Sequence, residues 1–285
     1  MGTALTTALV FARLTLREAA RRKVLRALGL LTLALLGLSA WGFAELSTVD
    51  PEFGALTSGE ARLFASQLLN LVMFGYSLIA ALGTAFLAGP TLAGEVESGQ
   101  ALVVLARPVR RATVLLGKWL GLVAFGSGYV AAAGLAQFAV VRWAVGYWPP
   151  DPLLGLLLLA AQTTVLMTLA LLLATAISPM ASGIVAVGLF GATWVAGVVG
   201  TVGEVLGNEG VARVGEVSRM LLPTDGLWRG AMHAFQDTAS LGVFGFEGSP
   251  FLALGPLSPG YLVWVAVWLL LVGGLAALSF GRRDI

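Results

Sequence analysis

The polar side chains that stand out in or beside the long apolar runs of this 285-residue chain are uncharged, among them Gln67, Asn70, Gln137, Gln162, Thr163, Thr164, Thr168 and Thr193. Amides and hydroxyls donate and accept hydrogen bonds, but unaided they neither hold an exchangeable charge near neutral pH nor act as nucleophiles. No Asp, Glu, Lys or Arg stands near the middle of such a run, so the usual mark of a proton relay or ion pathway is missing. There is no Cys, which removes thiolate nucleophiles, Cys-ligated metal and disulfides, and the single histidine, His233, cannot supply paired ligation of haem or metal. His233 is expected at the surface of a loop. No G-x-x-x-x-G-K-[ST] phosphate loop occurs, since the one Gly-Lys pair, Gly117-Lys118, is followed by Trp119. Two roles remain open for Asn70, Gln137, Gln162 and Thr168. They could line a path for an amphipathic molecule, or tie helices together through hydrogen bonds of about 0.6 kcal/mol each.

The elements that must position these groups follow from hydropathy. Hydrophobic residues make up 58% of the chain and charged residues 11%, against about 25% charged in soluble domains. Apolar runs long enough to cross about 30 Å of hydrocarbon recur at roughly 25–46, 68–93, 115–141, 153–177, 182–203 and 260–280. The expected fold is therefore an all-α integral membrane protein with six transmembrane helices in one domain spanning 1–285. Gly42-Phe43-Ala44 places small residues where a signal peptidase would want them, but the basic region before this run is too long for a leader and the run itself can span.

Charge sets the expected orientation. Arg13, Arg17, Arg21, Arg22, Lys23, Arg26, Arg107, Arg110, Arg111, Lys118, Arg282 and Arg283 are 12 of the 17 basic residues, and all flank the same side of an alternating six-span arrangement. The opposite side keeps Arg62, Arg142, Arg213, Arg219 and Arg229. The positive-inside rule then predicts a multi-pass protein of the cytoplasmic (cell inner) membrane with both termini in the cytoplasm.

Residues 1–24 read as an amphipathic elbow. Leu5, Ala8, Leu9, Ala12, Leu16 and Ala19 share one side of a helix, with Arg13, Arg17, Glu18, Arg21 and Arg22 opposite, as for a helix lying along a leaflet; a basic anchor that only sets topology is the plainer alternative. Residues 204–259 form the longest non-spanning stretch, expected on the extracytoplasmic side. A short helix over Leu221–Phe235 capped by Asp225 is predicted there, with loop elsewhere. Small residues fall four apart at Gly117 and Gly121, at Gly188, Ala192, Ala196 and Gly200, and at Gly273, Ala277 and Gly281, allowing close helix approach within the chain or between copies.

The connector between the second and third runs, residues 94–113, is a polar turn with Glu95, Glu97 and Gly99, a brief apolar helix containing Leu102 and Leu105, and a basic exit with Arg107, Pro108, Arg110 and Arg111. Such a piece can dock in a groove of a cytoplasmic protein with its charges fixing orientation, or simply lie at the lipid surface as a positive-inside loop.

The run Glu95-Val96-Glu97-Ser98-Gly99, followed by Leu105-Ala106-Arg107-Pro108-Val109-Arg110-Arg111 and Leu116-Gly117-Lys118, resembles the first cytoplasmic loop of ABC-2 type transporter permeases, closest to the branch of the nitrous-oxide reductase maturation permease. The basic segment Arg13 to Arg26, the stretch Leu222-Pro223-Thr224-Asp225 and the tail Phe280-Gly281-Arg282-Arg283-Asp284-Ile285 agree with it. The resemblance implies a permease subunit without catalytic activity of its own, in which 94–113 is a cytoplasmic coupling helix and its flanks. It further implies two copies of a cytoplasmic ABC ATPase, a second permease that is commonly a copy of this chain, and export of a substrate that no residue identifies. ATP and Mg would be bound by the ATPase, with no cofactor in this chain; membrane lipid is an expected partner and nucleic acid is not. A membrane subunit that passes ATPase motion to an envelope enzyme or assembly factor is the alternative implied function.

Overall fold

The computed structural model describes residues 2–21, 23–49, 59–94, 110–237, 250–253 and 255–282, and among these every regular element is helical. In chain order they are α1 (Gly2–Arg21), α2 (Lys23–Val49), α3 (Gly59–Gly89, prolonged by a π-helical turn at Pro90–Gly94), α4 (Arg111–Val145), α5 (Pro152–Ala174), α6 (Pro179–Val205), α7 (Glu209–Leu221), α8 (Thr224–Phe235) and α9 (Pro259–Arg282). Six of them, α2 to α6 and α9, are long and apolar enough to cross a membrane, and the chain is a multi-pass membrane protein. Each expected span lies on one of the six. The main difference is at α3, which begins at Gly59 rather than near 68: Glu60 and Arg62 interrupt the apolar run, yet Ala61, Leu63, Ala65 and Ser66 are buried and carry the helix outward.

Local signals explain the ends. Pro152 and Pro179 occupy first-turn positions, where the missing N–H costs nothing, and Ser178 accepts a capping hydrogen bond from Ala181 N. Gly146 closes α4 in the left-handed region at φ 74°. The spans alternate, so the start of α4 meets the end of α9, where Arg111 Nη1 donates to Phe280 O at 3.4 Å, and the end of α5 meets α9 through Thr175 Oγ1 and Ser279 Oγ at 2.7 Å. This end carries Lys23, Arg26, Arg110, Arg111, Lys118 and Arg282, and is called the basic end below.

α5 is the central helix, packed on α3, α4, α6, α8 and α9. Its spanning window is 67% buried, against 17% for α2 and for α9, which face outward. Leu69, Met73, Phe138, Trp228 and Phe235 join α3, α4 and α8 in the larger core cluster.

Two of the small-residue rows are used inside the chain. A Cβ on Gly117 or Gly121 of α4 would lie 2.6 Å from the carbonyl oxygen of Ala8 or Ala12 of α1, so α1 seats directly on the α4 backbone. The contact face of α1 is correspondingly narrow. Ala8, Thr15 and Ala19 are buried, while Leu9 and Leu16 of the same apolar side are exposed; Ala8, Phe11, Ala12 and Thr15 close on the glycine pair. In the second row, Gly200 of α6 meets Gly215 of α7, whereas Gly188 has open space. Gly281 of the third row is also open.

The stretch 204–259 departs furthest from expectation. Beyond the predicted helix near 221–235, realised as α8, a second helix, α7, replaces expected loop. α7 folds back along α6, and the chain reverses at Leu222–Pro223 into α8, which returns along α5. Their junction lies deep: the Thr224 carbonyl accepts from Gln162 Nε2 at 3.3 Å and the Thr224 hydroxyl pairs with Thr193 Oγ1 at 3.0 Å, both partners lying near the mid-length of α5 and α6. Asp225 does not cap α8. Pro223 holds that position with no side-chain cap, and the Asp225 carboxylate is engaged elsewhere.

Candidate functional site

The junction of the folded-back pair is built around a charged cluster buried in the protein. The Asp225 side chain is 1% exposed and its Oδ2 accepts from Arg219 Nε at 3.1 Å and Arg229 Nε at 2.9 Å. Arg229 also donates through Nη2 to the Gly197 carbonyl of α6 at 2.8 Å. Gly197 is required by this arrangement, because a Cβ there would overlap the Asp225 carboxylate; a Cβ on Gly226 would likewise overlap the Tyr261 hydroxyl. A carboxylate desolvated to this degree is stable only when paired and hydrogen-bonded, and its two guanidinium partners satisfy that requirement.

The C-terminus of α7 raises a second problem, since the last four carbonyls of a helix have no partner within it. α9 answers it with one stripe of aromatic donors. Tyr261 Oη donates to Arg219 O at 3.0 Å, Trp264 Nε1 to Met220 O at 3.1 Å and Trp268 Nε1 to Leu221 O at 2.8 Å. Spacings of three and four residues place the three on a single face. Trp268 lies nine residues beyond Pro259, about 14 Å along the helix axis, where lipid offers no hydrogen bonds.

Asn70, Gln137, Gln162, Thr168 and Thr193 are buried and bond to other segments, whereas Thr163 and Thr164 bond back within α5. Asn70 Nδ2 donates to Phe251 O at 3.1 Å. Gln137 accepts from Tyr76 Oη at 3.1 Å and donates to Ser39 Oγ at 2.6 Å. Gln162 accepts from Ser77 Oγ at 3.3 Å while holding Thr224, and Thr168 accepts from Trp119 Nε1 at 2.8 Å. Thr168 also borders an opening of about 430 Å³ between α4, α5 and α9. A larger aromatic group stands beside Asn70: Phe74 stacks on Trp194 at 4.6 Å and approaches Trp228 and Phe251 at 5.5 and 5.9 Å.

At the basic end, Glu95, Glu97, Gly99, Leu102, Leu105, Arg107 and Pro108 lie outside the described residues. The roots of their segment are described. Lys118, 4% exposed, donates from Nζ to the Thr91 carbonyl at 2.6 Å, joining α4 to the π-helical turn that ends α3. Arg110 is exposed at the N-cap of α4.

Other groups offer little chemistry. Among the described residues no three His, Cys, Asp or Glu come together as a metal site. His233, on α8, has its imidazole pushed below the ordinary value by burial, with Asp151 opposing. Burial raises the Tyr147 phenol, which donates to Phe235 O at 2.7 Å. Between α2, α3 and α4 lies an apolar cavity of about 400 Å³, where Thr32 Oγ1 and Tyr129 Oη hydrogen-bond at 2.9 Å.

Sequence reasoning passed over Arg219, Arg229, Tyr261, Trp264 and Trp268 as site residues. The signals available were the Asp225/Arg229 spacing of four and the Tyr261/Trp264/Trp268 stripe, but neither names its partner. No protein-family model matches the chain, and no curated protein matches it.

Proposed function

We propose that the chain is the permease subunit of an ATP-driven exporter of the ABC-2 type, working as a pair of copies with two cytoplasmic ATPase subunits that bind the ATP and Mg. The observation that carries this reading is the bracing of the segment 95–109. Its two roots, at Gly94 and Arg110, are joined just inside the bundle by Lys118 and Thr91, and α1 lies against the next turn of α4 at Gly117 and Gly121. A push on the described ends of α3 and α4 that flank residues 95–109 is shared between the two helices through this bond. Those helices pack on α5, and α5 in turn holds the α7–α8 junction through Gln162 and Thr224. Force delivered at the basic end therefore has a packed route to the polar site near mid-height.

The loop sequence supports the same direction of coupling. Leu102 and Leu105 supply an apolar docking face, Glu95 and Glu97 orient it, and Arg107, Arg110 and Arg111 hold its exit near lipid phosphates with the basic end in the cytoplasm. The membrane is the cytoplasmic (cell inner) membrane in this reading, and α1 is the elbow.

The test is co-purification of the chain with an ABC ATPase from its own source, using the Leu102→Asp/Leu105→Asp double variant. Charge placed in a dry apolar contact costs several kcal/mol, roughly 2–7 by transfer measurements. The variant is expected at normal levels in the membrane, without bound ATPase and without export. Normal ATPase capture and export by the double variant would exclude this loop as the dock.

A further inference from the structure

We infer that Arg219 binds the phosphate of an anionic phospholipid whose acyl chains run along the exposed face of α7. The charge balance of the buried cluster motivates this: two guanidinium groups, Arg219 and Arg229, surround one carboxylate, and both reach the same oxygen of Asp225 through Nε. Within this buried cluster the guanidinium groups outnumber the carboxylate by one, and Glu216, which borders the same opening, is exposed and forms no ion pair with Arg219 among the described residues. Arg229 uses a terminal nitrogen on Gly197 O, whereas the terminal nitrogens of Arg219 have no partner among the described residues.

Arg219 borders an open cavity of about 570 Å³ together with Glu216, Val217, Met220, Leu221 and Tyr261. The polarity of this cavity changes along α9. Arg219 sits opposite Tyr261, the third residue of α9, near the level where a span meets headgroups. Met220 and Leu221 sit opposite Trp264 and Trp268, deeper along α9, and are 52% and 72% exposed, with Val217 58% exposed beside them. Charge at the shallow end and apolar surface at the deep end match a lipid with its headgroup outward. A planar guanidinium with free terminal N–H groups suits phosphate oxygens. Glu216 at the mouth opposes binding, which selects for a strong anion contact and makes its removal informative.

The experiment uses the purified chain in neutral detergent, titrated with phosphatidylglycerol or phosphatidylcholine and read by native mass spectrometry and thermal unfolding. It does not depend on an ATPase, so its outcome is separate from the permease reading. Phosphatidylglycerol is expected to bind roughly tenfold more tightly, the size of one charge-assisted contact. Arg219→Gln should bring the two lipids to parity, and Glu216→Gln, an exposed change that leaves the core intact, should widen the preference several-fold. An unchanged preference in Glu216→Gln, or a retained one in folded Arg219→Gln, overturns the site. Equal stabilisation by millimolar inorganic phosphate without lipid would show a free-anion site and overturn the lipid assignment.

Discussion

The ammonium of Lys118 lies 2.6 Å from the main-chain carbonyl of Thr91, 27 residues earlier, with Lys118 only 4% exposed. Thr91 belongs to the last described turn of the α3 segment, and Lys118 brings a charged donor from α4 to its carbonyl. A cation there also complements the negative end of the helix dipole.

Lys118→Met keeps the length of the side chain and removes the charge and the donor. Hydrogen exchange at residues 87–94 of the isolated chain is expected to rise, and in the proposed complex with an ATPase, substrate-stimulated hydrolysis should fall toward the basal rate while ATPase binding persists. Lys118→Arg should retain most of the coupling. Unchanged exchange in Lys118→Met would mean that Thr91 does not depend on this contact.

Asp225→Asn leaves two guanidinium groups without their shared carboxylate. Removing one partner from a buried ion pair costs about 3–5 kcal/mol. Thermal unfolding in detergent should drop well below wild type, and a loss under about 1 kcal/mol would show that water reaches the cluster and screens it.

Gly197→Ala would drive a methyl group into the Asp225 carboxylate, and about 1–3 kcal/mol of destabilisation is expected from such overpacking. Gly188→Ala, on the same helix with open space around it, should be neutral or stabilising by a few tenths of a kcal/mol, because alanine is the better helix former. Equal effects at both positions would contradict the close approach of α6 to Asp225.

Trp268→Phe retains the ring and deletes the donor to Leu221 O. An unpartnered buried carbonyl costs about 1–3 kcal/mol. Trp264→Phe should cost less, since that bond is more exposed. The comparison of the two unfolding midpoints reads the depth of the α7 terminus directly.

Orientation can be read without background labelling, because the chain contains no Cys. Cysteine at Ser98 or Gly281 should be shielded from an impermeant thiol reagent in intact cells, and cysteine at Ser58 or Ser240 should react. Labelling of Ser98→Cys from outside would reverse the membrane orientation proposed above.

The six spans, their order and the gathering of Lys23, Arg26, Arg111, Lys118 and Arg282 at one end were legible in the sequence. Hydropathy and helix formation are properties of contiguous residues, and transfer into lipid is decided run by run. The absence of thiol and paired-histidine chemistry was equally plain, because it needs only counting. The partners of the small and polar residues were not legible. Gly117 and Gly121 were equally suited to a neighbouring copy or to α1, and only packing brings them onto Ala8 and Ala12. Asp225 read as a cap because capping is local, yet the fold turns it toward Arg219, Arg229 and Gly197. The Tyr261, Trp264 and Trp268 stripe was visible as a periodicity, while its acceptors lie some 42 to 47 residues away on a helix that sequence reading took for loop. α7 is short and weakly apolar, so nothing in its own composition places it against α6. It is held there by carbonyls that α9 satisfies and by a carboxylate that two arginines neutralise, interactions that exist only once distant segments are brought together.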